Sequence, residues 1–154
     1  MLNVLFICHG NICRSPMAEF LFKDLVTKKD LQDKFNIASA ATSQEEIGNP
    51  VYPPVKEILN SLGIDCSHKR ARQVTYNDFD EYDYLIVMDE NNIYNMHNLF
   101  KGRNFEKVFK LKDFSMHKGD IDDPWYTRDF ARTQKEITIS LNDFLEYLER
   151  ENLI

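Results

Sequence analysis

The sequence predicts an α/β protein, a parallel sheet with helices packed on both faces. Three observations carry that expectation. Leu2-Asn3-Val4-Leu5-Phe6-Ile7 is a near-continuous apolar run, the pattern of a strand buried on both faces. Later strand-like runs alternate with segments whose apolar residues recur at helical spacing, the order of a parallel sheet with crossover helices. The first run leads into Cys8-His9-Gly10-Asn11-Ile12-Cys13-Arg14-Ser15, a loop that leaves a strand and opens a helix, where open α/β sheets bind ligands.

The elements follow in order. After the first strand, Ser15 before Pro16 predicts a helix N-cap with proline at the first helical position, and Met17, Phe20, Leu21 and Leu25 supply one apolar face. Residues 37–41 predict a short second strand, followed by a loop marked by Gly48-Asn49-Pro50. Val55, Ile58, Leu59 and Leu62 recur at helical spacing and end at Gly63, a C-terminal cap. Residues 84–88 predict a buried strand, 90–100 a helix with Ile93, Met96 and Phe100 inward, and 108–111 a shorter strand. Residues 112–128 are rich in Asp, Gly and Pro without periodicity and predict a long loop of the kind that carries function. Ile137, Leu141, Phe144, Leu145 and Leu148 define a C-terminal amphipathic helix.

With 154 residues, no repeats and no linker, one domain over 1–154 is expected, large enough for a single core without staples. A net charge of −6 argues against a general nucleic-acid binder, because no basic excess exists to displace counterions. No stretch approaches the roughly 20 apolar residues of a membrane span. The first apolar run is too short for a secretory signal and continues into the loop. Cys8, Cys13 and Cys66 cannot all pair, which points to a reducing, cytoplasmic setting. His9, His68, His97 and His117 are scattered without metal-ligand spacing, so chemistry without metal or cofactor is expected.

The loop chemistry narrows the function. A helix N-terminus presents unpaired N–H groups and the positive end of the helix dipole, which suits an oxyanion and favours thiolate at Cys8. Arg14 can fork onto two phosphate oxygens. Gly10 allows close backbone approach or an unusual φ, and Asn11 can take a left-handed conformation or tie the loop by side-chain hydrogen bonds. Ser15 can cap the helix and donate to the Cys8 sulfur. Phosphomonoester cleavage also needs a proton for the leaving oxygen. Asp120, Asp122 and Asp123 all supply carboxyls, and Pro124 biases Asp123 to an extended backbone.

Cys8 to Ser15 with Pro16-Met17-Ala18-Glu19 resembles the phosphate loop of the low-molecular-weight protein tyrosine phosphatases. The resemblance continues in family order through Ser39-Ala40-Ala41-Thr42-Ser43, Ile47-Gly48-Asn49-Pro50, Ala71-Arg72-Gln73, Asp83-Tyr84 with Val87-Met88-Asp89, and Asp123-Pro124-Trp125-Tyr126. It implies a flavodoxin-like four-stranded sheet. It also implies a phosphatase acting on tyrosine-phosphorylated proteins through a phosphocysteine intermediate. In that reading Cys8 is the nucleophile, Arg14 the phosphate ligand and Asp123 the general acid and base. The substrate pocket is then formed by His9, Gly10, Asn11, Ile12, Cys13, Ser15, Glu45, Trp125 and Tyr126. Asn11, Ser39, Arg72 and Asp89 fall where the family braces its phosphate loop, and Cys13 where a second cysteine can pair reversibly with the nucleophile. A monomer is expected.

Departures bear on selectivity. His9 stands where animal members usually have leucine, and Glu45 where an aromatic wall is common. Around His68 the spacing is one residue longer than in members with a bracing histidine, which leaves Lys69 in register. Three other readings share the loop. Arsenate reductases relay oxidation through two further cysteines, and residues 82–100 hold none. Related arginine phosphatases carry threonine where this chain has Ile12. An idle phosphotyrosine-binding module would typically have lost Cys8, Arg14 or Asp123, and all three are present.

Overall fold

In a computed structural model that describes residues 1–154, β1 (Leu2–Cys8) lies inside a four-stranded parallel sheet of order β2-β1-β3-β4, with β2 Phe35–Ala41, β3 Tyr84–Val87 and β4 Val108–Lys110. β1 pairs with β2 from Leu2–Phe35 to Cys8–Ala41 and with β3 from Val4–Tyr84 to Ile7–Val87. Its successive side chains therefore feed two cores. Val4, Phe6 and Cys8 face one, Leu5 and Ile7 the other, and all five are buried. That two-sided burial is why the run is continuously apolar.

On the first face lie α1 (Arg14–Lys28), α2 (Pro53–Ser61) and α6 (Phe130–Arg150). Phe22 packs edge-on against Phe6 and tilted on Phe144, and each fully buried ring of this kind contributes roughly 1.5–3 kcal/mol. The five apolar residues expected on the C-terminal helix are all buried there. The second face is covered by α3 (Tyr76–Glu81) and α4 (Glu90–Leu99), through Phe79, Met96 and Phe100.

Four expectations need correcting. β2 begins at Phe35, two residues earlier than the sequence predicts, because Phe35 and Ile37 both reach the core. α3 was not expected. It is short, but Thr75 accepts from the Asp78 amide while the Asp78 carboxylate accepts from the Thr75 amide, closing a capping box. The expected long loop contains a 3-10 turn at Leu111–Phe114 and a one-turn helix, α5 (Pro124–Thr127). Finally, Ser15 does not cap α1. The helix starts two residues earlier, with Cys13 at the cap position and no side-chain cap bond. Pro16 is tolerated inside the first turn because the N–H it lacks would have no helical partner.

The chain leaves β1 for β2 on one side of the sheet, and leaves β3 for β4 on the other. The switch point falls at the carboxyl end of β1, which is Cys8.

Candidate active site

At the switch point the backbone curls around the Cys8 sulfur. The amides of Asn11 and Ser15 donate to Sγ at 3.3 and 3.4 Å, and the Ser15 hydroxyl lies 3.0 Å from it. Asn11 makes the curl possible by adopting φ 60°, a left-handed conformation that asparagine tolerates better than most residues. Gly10 has no positive φ, and its missing Cβ matters for another reason. A methyl there would stand 3.3 Å from Cγ of Glu46, so glycine lets that side chain lie against the loop.

Beneath the loop is a chain of buried hydrogen bonds. Asn11 Nδ2 donates to Ser15 Oγ at 2.7 Å and to Ser39 Oγ at 3.0 Å. The Ser39 hydroxyl in turn donates to Glu19 Oε1 at 2.6 Å. Glu19 is buried, and Lys23 Nζ sits 2.6 Å from its other oxygen. Lys69 Nζ donates to the Ser39 carbonyl at 2.9 Å and stands 3.7 Å from Glu19. Burial pulls the Lys69 pKa down, and the Glu19 carboxylate offsets part of that. His68 instead packs edge-on against Phe20, so the register argument and the contacts agree on Lys69.

The Arg72 amide donates to Asn11 Oδ1 at 3.2 Å, while its guanidinium forks onto Asp78 at 2.7 and 3.2 Å. Burial alone would raise the Asp78 pKa, but the bonds from Arg72 and Thr75 hold the carboxyl below its ordinary value. Each polar atom of the Asn11 side chain is thus engaged, which makes this buried asparagine a rivet and not a liability.

Arg14 is 2% exposed and is held by one nitrogen. Nη1 donates to Asp89 Oδ2 at 2.6 Å and to the Ile121 carbonyl at 2.8 Å. Burial would lower its pKa, but the Cys8 sulfur and then Asp89 and Asp123 outweigh it and raise the pKa, so the guanidinium stays cationic. Asp89 also caps α4 by accepting from the Asn92 amide at 2.7 Å. Asp123 Oδ2 faces Arg14 Nη2 at 3.5 Å, and its Oδ1 accepts from the Trp125 amide at 3.0 Å. The rival acids lie elsewhere. Asp120 pairs with Lys110 at 3.2 Å and Asp122 lies 3.9 Å from Arg132.

These groups surround a pocket of about 210 Å³. It is lined by the buried Cys8, Cys13 and Arg14, by His9, Gly10 and Ile12 of the same loop, and by Glu45, Glu46, Asp123, Trp125 and Tyr126 from later segments. Asn11 and Ser15 do not line it. Both are buried beneath it and act on the sulfur through hydrogen bonds. Ser39, Arg72 and Asp89 lie behind the loop. His9 Nε2 and Glu45 Oε2 are 2.9 Å apart, while the buried His9 Nδ1 has no hydrogen-bond partner. Tyr126 is 82% exposed and makes a rim.

Sequence reasoning missed Glu46, Glu19 and Asp78 as contributors. Only Asp78 left a local signal, the Thr75-x-x-Asp78 capping pattern. Cys13 is buried, and its thiol is pushed up to about 12, first by burial and then by the Cys8 sulfur and Asp123. No group of three or more His, Cys, Asp or Glu side chains is spaced to hold a metal ion. No helix is long and apolar enough to cross a membrane.

Comparison with known proteins gives three kinds of match. The family model of low molecular weight phosphotyrosine protein phosphatase matches residues 3–153. The chain is 38% identical over 153 residues to the low molecular weight protein-tyrosine-phosphatase YfkJ of Bacillus subtilis, covering 98% of each chain. It is 40% identical over 152 residues to the human low molecular weight phosphotyrosine protein phosphatase, covering 94% of each. The YfkJ crystal structure superposes with a TM-score of 0.93 over 98% of this chain and 96% of that one. A structure of the YwlE arginine phosphatase with a phosphorylated active-site serine superposes at 0.85, with 28% identity over 96% of each chain.

Proposed function

This chain belongs to the low molecular weight phosphotyrosine protein phosphatase family, and we infer that it is a protein-tyrosine phosphatase that hydrolyses phosphotyrosine and small aryl phosphates. The observation that carries the reading is the convergence of two backbone amides and a hydroxyl on the Cys8 sulfur, with Arg14 beside it and Asp123 across the pocket.

Each step follows from that arrangement. The phosphoryl oxygens take the place that loop amides and the Nη2 edge of Arg14, which faces Asp123 at 3.5 Å, offer to an anion, since Nη1 is already committed to Asp89 and Ile121. The Cys8 thiolate attacks phosphorus as the bond to the tyrosyl oxygen breaks, and protonated Asp123 delivers its proton to that oxygen. A phosphocysteine remains. Asp123, now a carboxylate, accepts a proton from water as the water attacks phosphorus, and the Cys8 sulfur leaves as thiolate. The Ser15 hydroxyl stabilises that sulfur in both directions.

Substrates are tyrosine-phosphorylated proteins, with Trp125 and Tyr126 flanking the aryl ring and His9 and Glu45 at the mouth. The setting is the cytoplasm, where reduced thiols persist, and the working unit is a single copy of one domain. Ile12 lines the wall with a hydrocarbon side chain and offers no hydroxyl to a phosphoguanidino group. The test is a competition between matched phosphotyrosine and phosphoarginine peptides in the presence of a chelator. Preferential release of phosphate from phosphotyrosine is expected. Preference for phosphoarginine overturns the substrate assignment, and chelator sensitivity overturns the metal-free chemistry.

A further inference from the structure

Arg128 sits in the left-handed region, at φ 59° and ψ 15°, where glycine would be relaxed and a long side chain is strained. Its amide closes the one-turn helix α5 by donating to the Pro124 carbonyl at 2.9 Å, a bond that glycine would make equally well. The reason for an arginine must therefore lie in its side chain.

That side chain folds back over the turn that carries Asp123. The guanidinium carbon lies 5.2 Å from the ring centroid of Phe130, 5.5 Å from Tyr52 and 5.8 Å from Trp125. Nη2 also donates to the Tyr52 hydroxyl at 3.2 Å. Tyr52 itself packs on Trp125 with centroids 5.0 Å apart, and its amide donates to the Ile12 carbonyl at 3.0 Å. A continuous path of contacts thus runs from the phosphate loop at Ile12, through Tyr52 and Arg128, to the turn whose Trp125 amide holds Asp123 Oδ1. On the other side the turn is fixed by the Ile121 amide on Met88 and by Arg14 on the Ile121 carbonyl.

We propose that Arg128 is a positioning residue for the proton donor, a strap that fixes the distal end of the Asp123 turn to the phosphate loop by way of Tyr52. The proposal rests on Asp123 being the general acid. Planarity and charge both matter, because a guanidinium can stack on the rings while its edge bonds the phenol. Without the strap the distal end of the turn keeps only the packing of Trp125 on Tyr52, and the Asp123 carboxyl is held less closely at its distance to the leaving oxygen.

The experiment compares kcat/KM on phosphotyrosine, whose leaving oxygen needs a proton, with kcat/KM on an aryl phosphate whose leaving group is acidic enough to need none. Arg128→Gly relieves the backbone strain, so it should melt at or above the parent temperature. It should nonetheless lose about five- to thirtyfold on phosphotyrosine, the scale of a misplaced catalytic group, and much less on the acidic ester. Arg128→Lys, which keeps the charge without the planar fork, should fall between. Tyr52→Phe, which removes only the hydroxyl, should shift the two esters in the same unequal way by a smaller factor. Asp123→Asn marks the full size of that inequality. Equal losses on both esters, or an unchanged phosphotyrosine rate in both Arg128→Gly and Tyr52→Phe, overturn the proposal. An Asp123→Asn protein without the inequality overturns the assignment of the acid instead, so the two failures are distinguishable.

Discussion

Asn11 Nδ2 donates to Ser15 Oγ at 2.7 Å, and that bond decides where the Ser15 hydroxyl proton points. With an oxygen lone pair occupied by the amide, the proton is left for Cys8 Sγ at 3.0 Å or the Ala40 carbonyl at 3.4 Å. The nearer acceptor is the sulfur once it is charged. The same bond is anchored at its far end by Ser39 and Glu19, so the sulfur is held by a relay that starts four side chains away.

Ser15→Ala should therefore slow the step in which sulfur leaves phosphorus. Loss of a hydrogen bond to a charged group is worth about 1.5–3 kcal/mol, or roughly ten- to a hundredfold in kcat. Rapid-mixing kinetics should show an enlarged burst of aryl alcohol followed by slow turnover. A proportionate fall in burst rate and steady rate would place the serine elsewhere in the mechanism.

Asp123→Asn should lower kcat/KM on phosphotyrosine by about 10²- to 10⁴-fold, the usual range for a positioned acid. Asp122→Asn and Asp120→Asn should change it little, because neither carboxylate lines the pocket. A large loss from Asp122→Asn contradicts the assignment.

How far the molecule was legible in its sequence follows from the range of the forces involved. β1 and α6 were readable because burial on two faces, or on one stripe, writes a periodic record into adjacent residues. The Cys8 to Arg14 spacing was readable because one loop holds both groups. The Glu19–Ser39–Asn11 relay was not, since it joins residues far apart in the chain through side-chain bonds that impose no local pattern. α3 is too short to show a period, and β4 has three residues of partial burial. The Ser15-Pro16 pair misled for a physical reason. Its hydroxyl is spent on the Cys8 sulfur and on Asn11, so it cannot also cap the helix.

Burial sets the reactivity of Cys13. Its pKa of about 12 is raised, so the thiol persists through neutral pH and ionises only as pH approaches that value. The Cys66 pKa is also pushed up by burial. Limited iodoacetate treatment near neutrality should label Cys8 and spare Cys13 and Cys66, and inorganic phosphate should protect the labelled site. Peptide mapping decides this, and equal labelling of Cys13 contradicts it.

Glu45 bears on selectivity. It is exposed, paired with His9 at 2.9 Å, and stands beside Glu46 at the pocket mouth. Glu45→Tyr should raise kcat/KM for phosphopeptides with acidic flanks by about two- to fivefold over neutral ones at low salt, with the gap closing as salt screens the repulsion. Equal and salt-independent changes on both peptides would show that residue 45 selects by shape.

The central claim is that the Cys8 sulfur takes the phosphoryl group. Denaturing quench of the enzyme during turnover of an aryl phosphate, with a chelator present, followed by mass mapping of its peptides, tests it most directly. The account predicts a phosphoryl group on Cys8, and turnover abolished in Cys8→Ser because a serine hydroxyl is a far weaker nucleophile and leaving group in the same loop. A phosphoryl group on any residue other than Cys8, or turnover undiminished in Cys8→Ser, would contradict it.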